Sequence, residues 1–168
     1  MLLSDVAIAV LFYLLLKPVN HTLSLTAAAF RLAQASVLGL NLLNYHAALF
    51  LLQGEHFGVV LGQEQVNTLA SLFLQLHSYG YDLGLIFFGV STLVLGSLMV
   101  KANYFPSVLG YGLIAAALVY LAGSFVRFLV PEQHDLIQPF YIVPLIAELS
   151  VCLFLLVKGV VYSEKTLL

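Results

Sequence analysis

Five long apolar segments, separated by short polar breaks, dominate this 168-residue chain. They predict helices at about 1–16, 22–53, 66–100, 107–130 and 138–158. A helix needs about 20 apolar residues to cross a hydrocarbon layer of about 30 Å, which makes the first segment a short one. Only 8% of the residues are charged, against about 25% in soluble domains. The sequence therefore predicts an all-α, polytopic transmembrane helical bundle of about five membrane-spanning helices, forming one domain over residues 1–168.

The lysines orient this bundle, because they all fall on one side of it: Lys17, Lys101, Lys158 and Lys165. The loops on the other side are acidic and have neither Lys nor Arg; they carry Glu55, Glu64, Glu132 and Asp135. Cytoplasmic loops are enriched in Lys and Arg. We therefore expect a multi-pass protein of the inner (plasma) membrane, with its N-terminus outside and its C-terminus in the cytoplasm.

Composition and motifs narrow the function classes. The net charge is −2, and no basic stripe is present to hold a phosphate backbone, so nucleic acid is not an expected partner. The sequence has no G-x-S-x-G elbow, no phosphate-binding loop and no H-E-x-x-H metal motif. We therefore favour a protein that is not an enzyme.

Five ionisable residues interrupt the apolar segments: Asp5, Arg31, Asp82, Arg127 and Glu148. Each costs about 2.5–3.5 kcal/mol at the membrane centre unless it is paired. Counting from the lysine side at 1.5 Å per residue places Asp5, Arg31 and Glu148 at a depth of about 15–18 Å. The same count places Asp82 and Arg127 at about 28–30 Å. We expect Arg31 to contact Glu148 or Asp5, and Arg127 to approach Asp82.

Two interpretations of these charges remain open. In the first, they form ion pairs that fix the register of the helices. In the second, they form a polar ligand site between the helices, and Asn41 and Asn44 belong to that site. His46 and His77 are weaker candidates for a functional site. Their depths in the membrane match closely, so the two imidazole rings are candidate ligands of a haem or a metal ion. Apart from that alternative, no cofactor is expected.

Several stretches resemble a known family: Leu15–Asn20, Phe30–Leu32, Gly39–Asn44, Leu76–Gly84, Ser124–Phe128 and Glu148–Ser150. In these stretches the chain is similar to prokaryotic multi-pass membrane proteins catalogued only as a domain of unknown function. The resemblance covers most of the chain and implies architecture without an activity. Typical members have an additional helix before the point that matches Met1. We therefore expect Met1 to lie within or beside a helix, with a groove next to that helix filled by lipid, detergent or another chain.

Three functions are consistent with these features. The first is an accessory or structural subunit of a membrane complex, with the lipid bilayer, other membrane subunits or a second copy of the chain as partners. The second is a small-molecule binding or transport protein that uses the layer of Asp5, Arg31 and Glu148. The third is a haem- or metal-dependent membrane enzyme that uses His46 and His77.

Overall fold

The computed structural model describes residues 2–54 and 59–160. Its α-helices are α1 (Leu2–Leu16), α2 (His21–Gln53), α3 (Gln63–Lys101), α4 (Ser107–Leu129), α5 (His134–Ile137) and α6 (Ile142–Val157). Short 3-10 helices at Pro131–Gln133 and Gln138–Tyr141 flank α5. These two described ranges contain no strand, and the predicted all-α class is confirmed. Glu55 and Lys165, which entered the orientation argument, lie outside the described residues.

Four helical stretches are long and apolar enough to cross a membrane: His21–Gln53, Gln63–Lys101, Ser107–Leu129 and Pro131–Val157. Helix α1 is also apolar but has only 15 residues, which corresponds to a length of about 22 Å. In the described part of the chain, four long spans and one short helix thus account for the five predicted segments. The chain is an integral membrane protein.

The helix ends follow local chemistry. Asn20 caps α2, because its Oδ1 accepts a hydrogen bond of 2.9 Å from the backbone N–H of Leu23. The predicted helix 138–158 opens instead as the 3-10 helix Gln138–Tyr141, and regular α-helix begins at Ile142. Pro144 lies in the first turn of α6. Backbone N–H groups in the first turn of a helix have no intrahelical acceptor, so proline is tolerated there.

The long helices form a row in which each packs on its neighbour in sequence: α1 on α2, α2 on α3, α3 on α4, and α4 on α6. Helices α3 and α4 lie close together. A Cβ added to Gly96 would lie only 2.7 Å from the carbonyl oxygen of Gly110. Small residues permit such contacts between membrane helices. This order leaves α1 and α6 at the two ends of the row.

A buried apolar core closes the row at the end that carries Lys17, Lys101 and Lys158. It combines side chains from α1, α3, α4, α6 and the turn before α4, namely Leu16, Leu95, Leu98, Met99, Ala102, Phe105, Leu113 and Val151. The hydroxyl of Tyr104 donates a 2.6 Å hydrogen bond to the carbonyl of Leu15, which ties that turn to α1. Leu16 of α1 and Val151 of α6 thus belong to one core with residues of α3.

Candidate functional site

A groove of about 420 Å³ lies between α1 and α6, with α3 as its floor. Most of its lining is apolar and includes Ile8, Phe12, Leu95, Leu145, Leu149 and Leu155. Three polar or charged side chains interrupt this surface: Arg31, Thr92 and Glu148. An apolar cavity with a few convergent polar groups has the character of a small-molecule site.

Arg31 reaches the groove from α2 and is held by two contacts. Its Nη2 donates to Asp5 Oδ1 at 3.0 Å, and both side chains are at most 15% exposed. Its guanidinium also lies over the ring of Phe88, 4.6 Å from the ring centroid. Pairing offsets the cost of burying both charges. Of the two partners predicted for Arg31, Asp5 is therefore the confirmed one.

Glu148 enters the groove from α6 and has a different partner. The hydroxyl of Tyr120 donates to Glu148 Oε1 at 2.8 Å. The ring of Tyr120 packs edge-on against that of Phe88, with centroids 5.1 Å apart. Within residues 2–54 and 59–160, Glu148 forms no ion pair. The Arg31 guanidinium is thus linked to the Glu148 carboxyl group through contacts with Phe88 and Tyr120.

Thr92 contributes hydrogen-bonding capacity to the groove. Its side chain is 2% exposed and lines the groove from α3. Its Oγ1 has no hydrogen-bond partner among the residues that the structure describes. Buried hydroxyls are normally paired, so this position is suited to a polar atom of a ligand.

A second cavity, the outer pocket, has a volume of about 440 Å³ and lies beside α5. Its lining is polar and comprises His77, Ser78, Tyr81, Asp82, Leu85, Arg127, His134, Gln138 and Tyr141. Arg127 Nε lies 2.8 Å from Asp82 Oδ2, which confirms the predicted pair. Arg127 also donates from Nη2 to the Ser78 hydroxyl and lies over the Tyr79 ring, 5.1 Å from its centroid.

Asn41, Asn44 and His77 link α2 to α3, away from the groove. Asn41 Nδ2 donates to the carbonyl of His77 at 2.8 Å, and the His77 ring nitrogen Nδ1 lies 3.2 Å from the carbonyl of Asn41. Asn44 Nδ2 donates to Asn41 Oδ1 at 3.2 Å. These contacts hold α2 against α3, and a ligand-binding role for Asn41 and Asn44 stays a prediction.

His46 lies on the exposed side of α2, and its Nδ1 is 2.9 Å from the carbonyl of Leu42. The described ranges contain no group of three or more His, Cys, Asp or Glu side chains placed to hold a metal ion. Haem or metal binding by His46 and His77 stays a prediction.

Sequence reasoning missed Tyr120, Phe88 and His134 as site residues. Tyr120 lies 13 residues after Ser107, which places it at a depth of about 20 Å, close to the predicted layer of Glu148. Counting residues to estimate depth for hydroxyl groups, as was done for charged groups, identifies Tyr120. His134 follows the end of α4 and reaches the outer pocket because the short α5 folds back beside Arg127. The sequence carries no local signal for that turn.

Comparison with known proteins identifies one family and one relative. A family model described as a domain of unknown function, DUF4386, matches residues 1–159. A protein of Archaeoglobus fulgidus named "Uncharacterized protein" is 29% identical over 124 residues, covering 74% of this chain and 60% of that relative's length. No solved structure matches the chain.

Proposed function

This chain belongs to the DUF4386 family, and we propose that it binds an amphipathic cation from the membrane in the groove between α1 and α6. One observation carries the proposal. The Glu148 carboxyl group faces an apolar groove while the Arg31 guanidinium is committed to Asp5. A carboxylate in such a place attracts a positive group that also fits apolar walls.

The charge balance of the groove favours a cation. Asp5 and Arg31 neutralise each other across 3.0 Å. Glu148 has the neutral hydroxyl of Tyr120 as its partner, so the ionised groove carries one net negative charge. In a medium of low dielectric constant an uncompensated charge is costly, and a ligand of opposite charge relieves that cost. A carboxylate or phosphate ligand would meet repulsion instead.

The shape and lining of the groove favour an alkyl chain attached to that cation. Leu145 and Leu155, both lining residues, lie ten positions apart along α6, which corresponds to about 15 Å. Phe88 lines the groove, and its ring contacts that of Tyr120, which donates a hydrogen bond to Glu148. Aromatic faces attract ammonium groups, most strongly where water is excluded. A quaternary ammonium with one long alkyl chain therefore suits both the charged and the apolar parts of the groove.

The lipid phase offers a route to the site. Leu145, Leu149 and Leu153 of α6 are each more than half exposed. Helix α6 packs on α4 along the row, and these exposed leucines would contact lipid. A ligand dissolved in the membrane can reach the groove by passing between α1 and α6.

Dodecyltrimethylammonium tests this function, because it carries a permanent positive charge and a single chain. We expect saturable binding of the radiolabelled probe to the protein in lipid nanodiscs, above its partition into empty nanodiscs. Glu148→Gln should weaken binding by about 10–100-fold, the loss of about 1.5–3 kcal/mol that a charged contact supplies.

Two controls make the test specific. Dodecanol has the same chain without the charge, and its binding should be weak and insensitive to Glu148→Gln. Glu64→Gln removes an exposed carboxylate at the start of α3, outside the groove, and should leave probe affinity unchanged. Equal affinities of the wild type and Glu148→Gln would contradict the proposal.

We infer the orientation of the bundle from its lysines. Lys17 follows α1, Lys101 ends α3 and Lys158 follows α6. In a row of antiparallel neighbours these three positions lie at one end, which supports a cytoplasmic assignment for that end. The protein would then lie in the plasma membrane with its N-terminus outside. A role as accessory subunit and a role as haem or metal enzyme both stay predictions.

A further inference from the structure

We propose that the cation bound in the groove carries an acyl carbonyl close to its ammonium group, and that the Thr92 hydroxyl selects for this carbonyl. The inference rests on the proposed function and deepens it, because it names the chemical class of the ligand. Thr92 then determines specificity, whereas Glu148 binds the charge.

Thr92 differs from most hydroxyl side chains of the described helices. It is 2% exposed, and its Oγ1 has no hydrogen-bond partner within residues 2–54 and 59–160. A hydroxyl inside a helix commonly donates to the carbonyl four residues earlier. Several hydroxyls of this chain do so, namely those of Thr26, Ser36, Thr68, Ser97 and Ser150. Because Thr92 makes no such bond, its hydroxyl is available to a ligand.

The contacts of α3 turn Thr92 toward the groove. The Ser91 hydroxyl donates a hydrogen bond of 2.7 Å to the carbonyl of Ala27, so Ser91 faces α2. Phe88, Thr92 and Leu95 follow one another at intervals of four and three residues, which places them on one face of α3. All three line the groove. Thr92 is therefore a polar side chain in the otherwise apolar floor of the groove.

The unpaired polar atoms of the groove-lining residues favour a ligand oxygen that accepts hydrogen bonds. Besides Thr92 Oγ1, the Arg31 nitrogen Nε is buried and has no hydrogen-bond partner among the described residues. A guanidinium nitrogen can only donate, and a hydroxyl can donate as well as accept. Asp5 Oδ2 is also unpaired, but Asp5 does not line the groove. A carbonyl oxygen has two lone pairs and can accept a hydrogen bond from either donor.

The depths of Thr92 and Glu148 place this carbonyl close to the ammonium group. Thr92 precedes Lys101 by nine residues, and Glu148 precedes Lys158 by ten. These spacings correspond to about 14 and 15 Å from the lysine end. An ammonium group that pairs with Glu148 therefore brings the first atoms of its chain to the level of Thr92. The rest of the chain occupies the apolar part of the groove.

Two probes of equal chain length test this selectivity. Lauroylcholine has an ester carbonyl close to its trimethylammonium group, and pentadecyltrimethylammonium has a plain alkyl chain. Each probe displaces radiolabelled dodecyltrimethylammonium from the full chain in lipid nanodiscs, which gives the ratio of the two affinities. Partition of the probes into lipid is the same for every variant, so it cancels when this ratio is compared between variants.

Thr92→Val removes the hydroxyl and keeps the branched shape of the side chain. We expect it to lower the affinity for lauroylcholine relative to pentadecyltrimethylammonium by about 3–10-fold, the contribution of one neutral hydrogen bond. Thr68→Val is the matched control, because Thr68 is an exposed residue of α3 whose hydroxyl donates to the Glu64 carbonyl. It should leave the ratio unchanged. Equal ratios in the wild type and Thr92→Val would overturn the inference.

Thermal unfolding without any probe gives a second test. Replacing an unpaired buried hydroxyl by a methyl group does not break a hydrogen bond, so Thr92→Val should unfold at the same temperature as the wild type or at a higher one. Ser91→Ala removes the buried hydrogen bond to Ala27 and should unfold at a lower temperature. A lower unfolding temperature for Thr92→Val would show that its hydroxyl stabilises the fold, which would overturn its assignment to a ligand.

The outcomes separate this inference from the proposed function. Binding of dodecyltrimethylammonium that depends on Glu148, together with an unchanged probe ratio in Thr92→Val, overturns the carbonyl specificity and leaves the cation site in place. If none of the cationic probes binds, the proposed function fails and the ligand class named here fails with it. A ratio lowered by Thr92→Val but not by Thr68→Val, with both probes weakened by Glu148→Gln, supports both proposals.

Discussion

Arg31 Nη2 lies 3.0 Å from Asp5 Oδ1 and thereby joins α2 to α1 at the level of the groove. Helix α1 has 15 residues and packs on α2 at the end of the row. Asp5 is one of its three buried residues. The ion pair is therefore a principal constraint on the position of α1, and the same guanidinium forms part of the groove.

The Asp5 and Arg31 pair predicts strong thermodynamic coupling. Asp5→Asn leaves the Arg31 charge without its partner, and we expect the free energy of unfolding to fall by about 3–5 kcal/mol. Arg31→Gln should have an effect of similar size. The double variant should lose much less than the sum, because neither charge is then stranded. Thermal unfolding of the four proteins in the same detergent measures this coupling.

Glu64→Gln is the control for that cycle, since it replaces an exposed carboxylate at the start of α3. Its effect should be within about 0.5 kcal/mol, as is usual for surface positions. Additive losses for Asp5→Asn and Arg31→Gln would show that the groove is hydrated enough to solvate either charge alone. The pair would then not act as a clamp.

The contacts of Arg127 depend on the shape of its guanidinium group as well as on its charge. Its Nε contacts Asp82 and its Nη2 contacts Ser78, an arrangement that a lysine cannot reproduce from one nitrogen. We expect Arg127→Lys to lower the free energy of unfolding by about 1.5–3 kcal/mol, the size of a hydrogen bond to a charged group. Ser78→Ala, which removes the lesser contact, should cost less. A variant Arg127→Lys as stable as the wild type would contradict this geometry.

Depth along the membrane normal could be read from the sequence, and lateral position could not. Counting residues placed Arg31 level with both Asp5 and Glu148, and Arg127 level with Asp82. The choice between Asp5 and Glu148 depended on the order of the helices in the row. Helix α1 packs directly on α2, and Arg31 pairs with Asp5. Helix α6 packs on α4, and Glu148 accepts a hydrogen bond from Tyr120 of that neighbour.

The rotation of a helix about its own axis could not be predicted from a single sequence either. His46 and His77 match in height, but His46 lies five residues after Asn41, about 140° around α2. The structure turns Asn41 toward α3, where it bonds to His77, and this leaves His46 on the exposed side. Polar residues occur on both sides of α2, so hydrophobic periodicity does not favour either rotation.

Cysteine labelling tests the orientation of the bundle. On a Cys152→Ser background, a cysteine at Asn103 in the turn between α3 and α4 should react with an impermeant maleimide only after the cells are opened. A cysteine at Gln133, beside α5, should react in intact cells. Both positions are exposed, so access to the reagent depends on the side of the membrane. The reverse pattern would place the lysine end outside.

The contact between α3 and α4 predicts opposite effects for two glycine substitutions. Gly96→Ala adds a Cβ that would lie 2.7 Å from the Gly110 carbonyl oxygen. That atom belongs to the backbone, so the helices must separate to relieve the overlap. We expect the free energy of unfolding to fall by about 1–3 kcal/mol, as is usual for an overpacked core.

Gly112→Ala is the matched control on α4. Its Cβ would meet the Ala147 Cβ at 3.5 Å, an ordinary van der Waals distance. Alanine in a helix interior is favoured over glycine by about 0.5–1 kcal/mol, so this variant should be as stable as the wild type or slightly more stable. Thermal unfolding of both variants in one detergent gives the comparison. Equal destabilisation would mean that any added methyl group disturbs α4, and the close approach of Gly96 to Gly110 would then not be what sets the spacing of α3 and α4.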